Sequence, residues 1–153
     1  MFVKIILTFL ISMVPVIELR GAIPFAVGMG LDYHVAIPIA VVGNLLPVPF
    51  IIFFIRKIFA WMRKKMPKLN RMVDKLEGRA KSKTDTVLKS AFWGLFIFVA
   101  IPLPGTGAWT GALIAAMLDM RLKKAFPAIA AGVITAGAIV TVVTALGSNI
   151  FIS

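Results

Sequence analysis

A chain of 153 residues that is 60% hydrophobic, with a mean hydropathy of +0.99, lies well above the ~45–50% apolar content of soluble domains. That excludes a disordered chain and points to an integral membrane protein. Charge is concentrated too: 12 of the 17 Lys/Arg and three of the six Asp/Glu fall between Arg56 and Lys89, a window that carries +9 (12 − 3) of the total +11.

Crossing ~30 Å of hydrocarbon takes about 20 helical residues, and the uncharged runs sort by that length. Residues 5–17 and 21–31 are apolar but short. As helices they reach only ~20 and ~17 Å, and Glu18 and Arg20 sit between them. A re-entrant hairpin over 2–31 is expected, followed by a transmembrane helix over 33–58 that Asn44, Pro47 and Pro49 interrupt. Residues 1–17, with Lys4 ahead of an apolar run, also have the outline of a signal peptide, but no small-x-small cleavage site follows.

From 60 to 89 the chain reads as a basic cytoplasmic connector under the positive-inside rule. Pro67 suits the first turn of a helix. Leu69, Met72, Val73 and Leu76 then recur at i, i+3, i+4 and i+7, an amphipathic stripe that Gly78 ends. Arg56, Arg63, Lys64 and Lys65 are the membrane-surface basic residues, placed to meet anionic lipid headgroups. A solvated linker is the other reading. Nucleic acid is not an expected partner, because the basic stretch has no further support for it.

Residues 90–118 are uncharged, but Pro102, Pro104, Gly105 and Gly107 break them in the middle. Interior prolines remove hydrogen bonds and clash with the preceding turn, so a second re-entrant hairpin over 90–118 is expected. A transmembrane helix over 122–147 follows. The two halves correspond. With Pro15 aligned on Pro102, Leu31-Asp32 falls on Leu118-Asp119. Pro38 and Gly43 match Pro127 and Gly132 once the second copy gains two residues after its aspartate. Repeat 1 is residues 1–59 and repeat 2 residues 90–150. One full span per unit makes the repeat inverted, an arrangement common in secondary transporters.

Glu18 and Arg20 are the sharpest chemical feature. Each costs ~2.5–3.5 kcal/mol at a bilayer centre. In an extended tip they point the same way and can pair or share a cavity; in a helix they diverge. The alternative is an interfacial role in which Arg20 snorkels. The second tip, Pro102-Leu103-Pro104-Gly105-Thr106-Gly107-Ala108-Trp109, is followed by a helix whose first N–H groups lack intrahelical partners. Those donors attract an anion or a carboxyl group; the bland reading is close helix packing by small residues. Asn44 lines the pathway or satisfies a neighbouring helix. Asp32 and Asp119, each ahead of a long apolar helix, are read as N-caps, and His34 as interfacial. Gly132, Thr135, Gly137, Thr141 and Thr144 make a small, weakly polar face on the last helix, for a neighbouring helix or a second copy.

There is no cysteine, no nucleotide-binding loop and no metal-ligand or triad spacing. ATP-driven export by this chain alone, catalysis and cofactors are therefore not expected.

Two stretches carry a family resemblance: Val14-Pro-Val-Ile-Glu-Leu-Arg-Gly-Ala-Ile-Pro24 and Pro102-Leu-Pro-Gly-Thr-Gly-Ala-Trp109. They resemble the signature segments of the putative small multidrug export protein family, over nearly the whole chain. That family is similar, more distantly, to the DedA-type (VTT domain) membrane proteins. Those are associated with paired re-entrant hairpins, proton-dependent transport and translocation of phosphate-headed lipids. By that resemblance Glu18 matches the acidic position of the first hairpin. The arginine usual near the second turn is missing, which leaves Arg20 as the intramembrane cation.

The expected fold is an all-α integral membrane protein of the plasma (cytoplasmic) membrane, multi-pass, with both termini outside. It is built as an inverted repeat of re-entrant hairpin plus transmembrane helix, with a basic amphipathic cytoplasmic connector. The expected function is a small secondary transporter, proton-coupled, for an amphipathic or phosphate-headed lipid-like substrate. Its pathway would comprise Glu18, Arg20, Asn44, Pro102, Pro104, Gly105, Thr106 and Gly107. A homodimer would help cover a polar cavity. A membrane-organising or stress-response scaffold and a small ion channel are the alternatives.

Overall fold

The computed structural model describes residues 1–66, 68, 71 and 84–152, which are helical without strands. Among the described residues seven helices run in order: α1 (Phe2–Met13), α2 (Glu18–Gly28), α3 (Tyr33–Leu45), α4 (Pro47–Lys65), α5 (Thr84–Ala100), α6 (Ala108–Met117) and α7 (Leu122–Ile152). The amphipathic stripe expected between Pro67 and Gly78 lies outside the described residues.

Sequence sets most of the boundaries. Val14 precedes Pro15 and is extended, with φ −71° and ψ 127°, because the proline ring disfavours helix at the residue before it. Pro47 and Pro49 carry no N–H, so the carbonyls of Gly43 and Leu45 lose their helical donors. The backbone at Leu46 stays helical (φ −58°, ψ −43°). α3 and α4 therefore form one apolar column, Tyr33–Met62, and α7 a second, Leu122–Ile150; both are long and apolar enough to cross a membrane. α1, α2 and α6, of 12, 11 and 10 residues, are too short to do so upright.

Alanines such as Ala22, Ala40, Ala112 and Ala128 are buried beside Leu19, Ile23, Ile52 and Ile129, while Phe50, Phe53, Trp93 and Val143 face outward. Lipid tails are as apolar as leucine, so helices associate through close approach and not by hiding large apolar groups.

Close approach is visible at two matched crossings. A Cβ added at Gly43 would overlap Ser12 Oγ and lie 2.7 Å from the Phe9 carbonyl oxygen, where α1 crosses α3. A Cβ at Gly132 would lie 2.7 Å from Val99 Cβ and 3.0 Å from the Phe96 carbonyl oxygen, where α5 crosses α7. Phe9, Ser12 and Gly43 thus occupy the same relative places as Phe96, Val99 and Gly132.

α2 and α6 both end in a Schellman motif. Gly30 N–H donates to Val27 and Leu31 N–H to Ala26, at 2.8 and 2.9 Å; Asp119 N–H donates to Ala116 and Met120 N–H to Ala115, at 3.1 and 2.9 Å. Gly30 (φ +78°) and Asp119 (φ +54°) are the left-handed residues that this cap demands. Asp119 thus ends α6 as Gly30 ends α2, and Asp32 stands two residues beyond that point.

Asp32 does cap α3, accepting the His34 N–H at 2.8 Å. Asp119 does not cap α7, whose first turn hangs on the Arg121 carbonyl; it accepts from Arg56 Nε at 3.1 Å instead. The small face of α7 is used within the chain. Gly132 meets α5, Gly137 is 3.7 Å short of Val41 for an added Cβ, and Thr135, Thr141 and Thr144 donate back to the carbonyls four residues earlier.

Candidate functional site

The two tips meet. The second begins as a turn over Leu103–Thr106, with Pro104 and Gly105 at its centre, Gly105 at φ +82° and Thr106 N–H donating to Leu103 at 3.3 Å. Proline followed by a left-handed glycine is the type II signature. Pro104 and Gly105 stay exposed and Pro102 half-buried, so these three shape the tip without entering the site. Gly107, extended at φ −86° and ψ −168°, leads into α6.

The first tip, Val14–Ile17, is shorter and strained. Val16 at φ +78° and Glu18 at φ +50° are left-handed without being glycine, and Val16 is β-branched. Each such residue costs of the order of 1–3 kcal/mol. The bend delivers Glu18 and Arg20 at the start of α2 toward the second tip.

Glu18 and Arg20 do not pair with each other. Among the described residues the single ion pair is Arg56–Asp119. Two residues apart on a helix, Glu18 and Arg20 diverge by about 200°, and each finds its own helix end. The Glu18 carboxylate, on a residue only 3% exposed, accepts the Trp109 backbone N–H at 3.1 Å. It lies against Gly107 so closely that an added Cβ would overlap it. Glycine is required there for space, not for conformation. This is the N-terminus of α6, where orphan donors and the positive end of the helix dipole favour an anion.

Arg20 takes the opposite pole. Its guanidinium donates to the Leu103 carbonyl, to the Ile101 carbonyl at 3.1 Å and to Thr106 Oγ1 at 3.1 Å. These carbonyls follow the C-terminus of α5, the negative end of that helix. The Thr106 hydroxyl lies 2.7 Å from both carbonyl oxygens and shares its one hydrogen between them. A planar fork of donors suits three acceptors as a point charge does not.

Trp109 completes the contact, and sequence reading passed over it. Its indole Nε1–H donates to the Met13 carbonyl at 3.0 Å, at the end of α1. The available signal was an N–H-bearing aromatic directly after the second tip. Trp109 thus holds the first tip through two different N–H groups.

Asn44 enters from α3. It is 1% exposed, and its Oδ1 has no hydrogen-bond partner among the described residues, a state that costs on the order of 1–3 kcal/mol. It lines a crevice with Glu18, Arg20, Gly107, Val99 and Val133 that leaves no room for a water.

The remaining expected residues lie elsewhere. Arg56 and Asp119, each partly exposed, tie α4 to the end of α6. Lys64 and Lys65 are exposed at the end of α4, and Lys65 Nζ stands 4.6 Å from the centre of the Trp61 ring. The Arg63 backbone belongs to α4; its side chain is outside the description. Lys4 donates to the Met29 carbonyl at the end of α2. Among the described residues no cluster of three His, Cys, Asp or Glu stands ready for a metal ion.

A family model described as "putative small multi-drug export protein" matches residues 18–139. The match begins at Glu18 and takes in Arg20, Asn44 and the whole second tip. No curated protein and no solved structure matches the chain.

Proposed function

Because this chain belongs to the putative small multi-drug export protein family, and hence among membrane proteins, we propose that it is a secondary transporter with its working site where the two tips meet. The single observation that carries this reading is the seat of Glu18: a carboxylate held on the first turn of α6. That turn is an anion site already filled by the protein's own side chain. A substrate with an anionic head, such as a phosphate-headed amphiphile, competes for the same N–H groups, with the Arg20 guanidinium beside them. On this reading the displaced Glu18 carboxylate is the group that carries the proton. Proton and anion then share one cycle. The tight crevice is the closed state of that cycle, and opening it requires the tips to part.

The matched crossings at Gly43 and Gly132 and the paired Schellman ends support an inverted repeat of two re-entrant hairpins and two spans. On this reading the chain lies in the plasma membrane with its basic connector cytoplasmic on anionic headgroups and both termini outside. Single cysteines at 32 and 119, treated with an impermeant thiol reagent, should label from opposite sides; labelling from one side removes the inverted topology.

The transport test uses liposomes holding the full chain, a fluorescent short-chain phosphatidate and an imposed pH gradient. Gradient-driven movement by the wild type and none by Glu18→Gln is the expected result. Equal movement by both removes Glu18 from the mechanism. The interlocked tips also fit a second reading, a rigid membrane scaffold, for which Glu18→Gln leaves the cellular role intact. A channel would instead pass current in planar bilayers without any coupled substrate.

A further inference from the structure

We propose that Asn44 is the second seat of Glu18: the acceptor to which the carboxyl group gives its hydrogen once it is protonated. Among the described residues Asn44 Oδ1 has no partner, and it is fully buried; Asn44 shares one crevice with Glu18. The crevice does not admit a water that would bridge them. Of the other lining side chains, those of Leu19, Val99, Ala108, Val133 and Ala136 offer no donor, and Arg20 is engaged with the second tip. An ionised carboxylate is acceptor-only, whereas a protonated one has an O–H to give. Oδ1 and the Glu18 carboxylate both accept, the Asn44 NH2 cannot serve its own oxygen, and a proton on Glu18 supplies the donor that Oδ1 lacks.

The step is balanced simply. As the crevice opens, a hydronium ion from the aqueous side gives a proton to a carboxylate oxygen: one of its O–H bonds breaks, the carboxyl O–H forms, and water is left. The neutral group loses its attraction to the α6 dipole and gains the Asn44 acceptor, leaving the Trp109 N–H uncovered. Reversal returns the proton to water. Arg20 is the charged neighbour in the crevice, its guanidinium held on the second tip; among the other described groups, Lys4 of α1 is held at Met29, Arg56 of α4 at Asp119, Asp32 caps α3, and His34, Lys123 and Lys124 are exposed at helix starts.

The inference rests on Glu18 being the protonatable group of the proposed site, but its test needs no substrate. The full chain in nanodiscs is followed by infrared difference spectroscopy through a pH titration, with Glu18→Gln identifying the Glu18 carboxyl band. In Asn44→Leu the band should move to the higher frequency of an unbonded carboxyl. Its midpoint should fall to lower pH, proton binding being about fivefold weaker. Asn44→Thr, which keeps an oxygen acceptor, should hold the band near the wild-type position; Asn44→Ala, which removes the acceptor with less bulk, serves if the leucine variant does not fold. An unmoved band in the variant that lacks the acceptor overturns the proposal. So does a midpoint that rises, because it would mean that the Asn44 amide donates to the ionised carboxylate. A Glu18 band that never titrates while the protein stays folded overturns it as well. Failure of the wild type to move phosphatidate, with the band behaving as expected, removes the transport reading and leaves this one standing.

Discussion

The tip at Val14–Ile17 and the tip at Ile101–Gly107 both reverse the chain between two short helices, with opposite chemistry. The first is strained at Val16 and Glu18 and delivers two ionisable side chains. The second has no charged residue, places its positive φ at a glycine, and offers bare N–H groups on one side and carbonyls on the other. The difference teaches that the charges of one tip are matched by the backbone dipoles of the other. Glu18 goes to a helix start and Arg20 to a helix end. Strain sits where charges must be aimed, and the partner tip supplies preorganised backbone.

Gly107→Ala should break this arrangement most severely. Its methyl group overlaps the Glu18 carboxylate, and overpacking combined with a dislodged buried carboxylate should cost about 3 kcal/mol. Thermal unfolding in detergent reads it, and an unchanged melting temperature would mean that the tips part easily.

Arg20→Lys comes next, at roughly 2 kcal/mol, because an ammonium holds fewer of the three acceptors and leaves a carbonyl without its donor. A melting curve like the wild type's would show that charge alone matters at that pole. Glu18→Gln should lose only about 1 kcal/mol, since the amide oxygen still accepts from Trp109 while the charge–dipole attraction is gone. Transport should nevertheless stop, so that stability and activity separate at this residue.

Val16→Gly works in the other direction. Val16 is exposed, and glycine accepts its φ without strain, so a gain of about 1 kcal/mol is expected. Destabilisation instead would mean that the valine stiffens the tip. The smallest effect belongs to Arg56→Gln. Its ion pair with Asp119 is partly exposed and contributes under about 1 kcal/mol; the difference from wild type should fade as salt is raised.

Several elements were legible in the residues themselves. The Pro-Gly run of the second tip, the Asp32 cap and the Gly43/Gly132 correspondence follow from rules that act over a few positions. Asp119 misled because an aspartate before an apolar helix resembles an N-cap. The same residue tolerates the left-handed conformation that ends α6, and only the chain path decides which use prevails. Trp109 and Asn44 were understated for a related reason: their roles depend on carbonyls and crevices contributed by distant helices.

Sequence by itself determined that this is an all-helical chain with two columns long enough to cross a membrane. It also determined that the short helices break at proline and glycine, and that two lone charges sit at a break. Those outcomes follow from helix length, the missing proline N–H and the cost of burying charge, all local quantities. Only the tertiary structure decided where the charges go. A carboxylate and a guanidinium two residues apart can pair, snorkel or part company, and the choice depends on which helix ends are in reach. Here the start of α6 and the end of α5 lie across the gap, and each charge goes to the dipole of opposite sign.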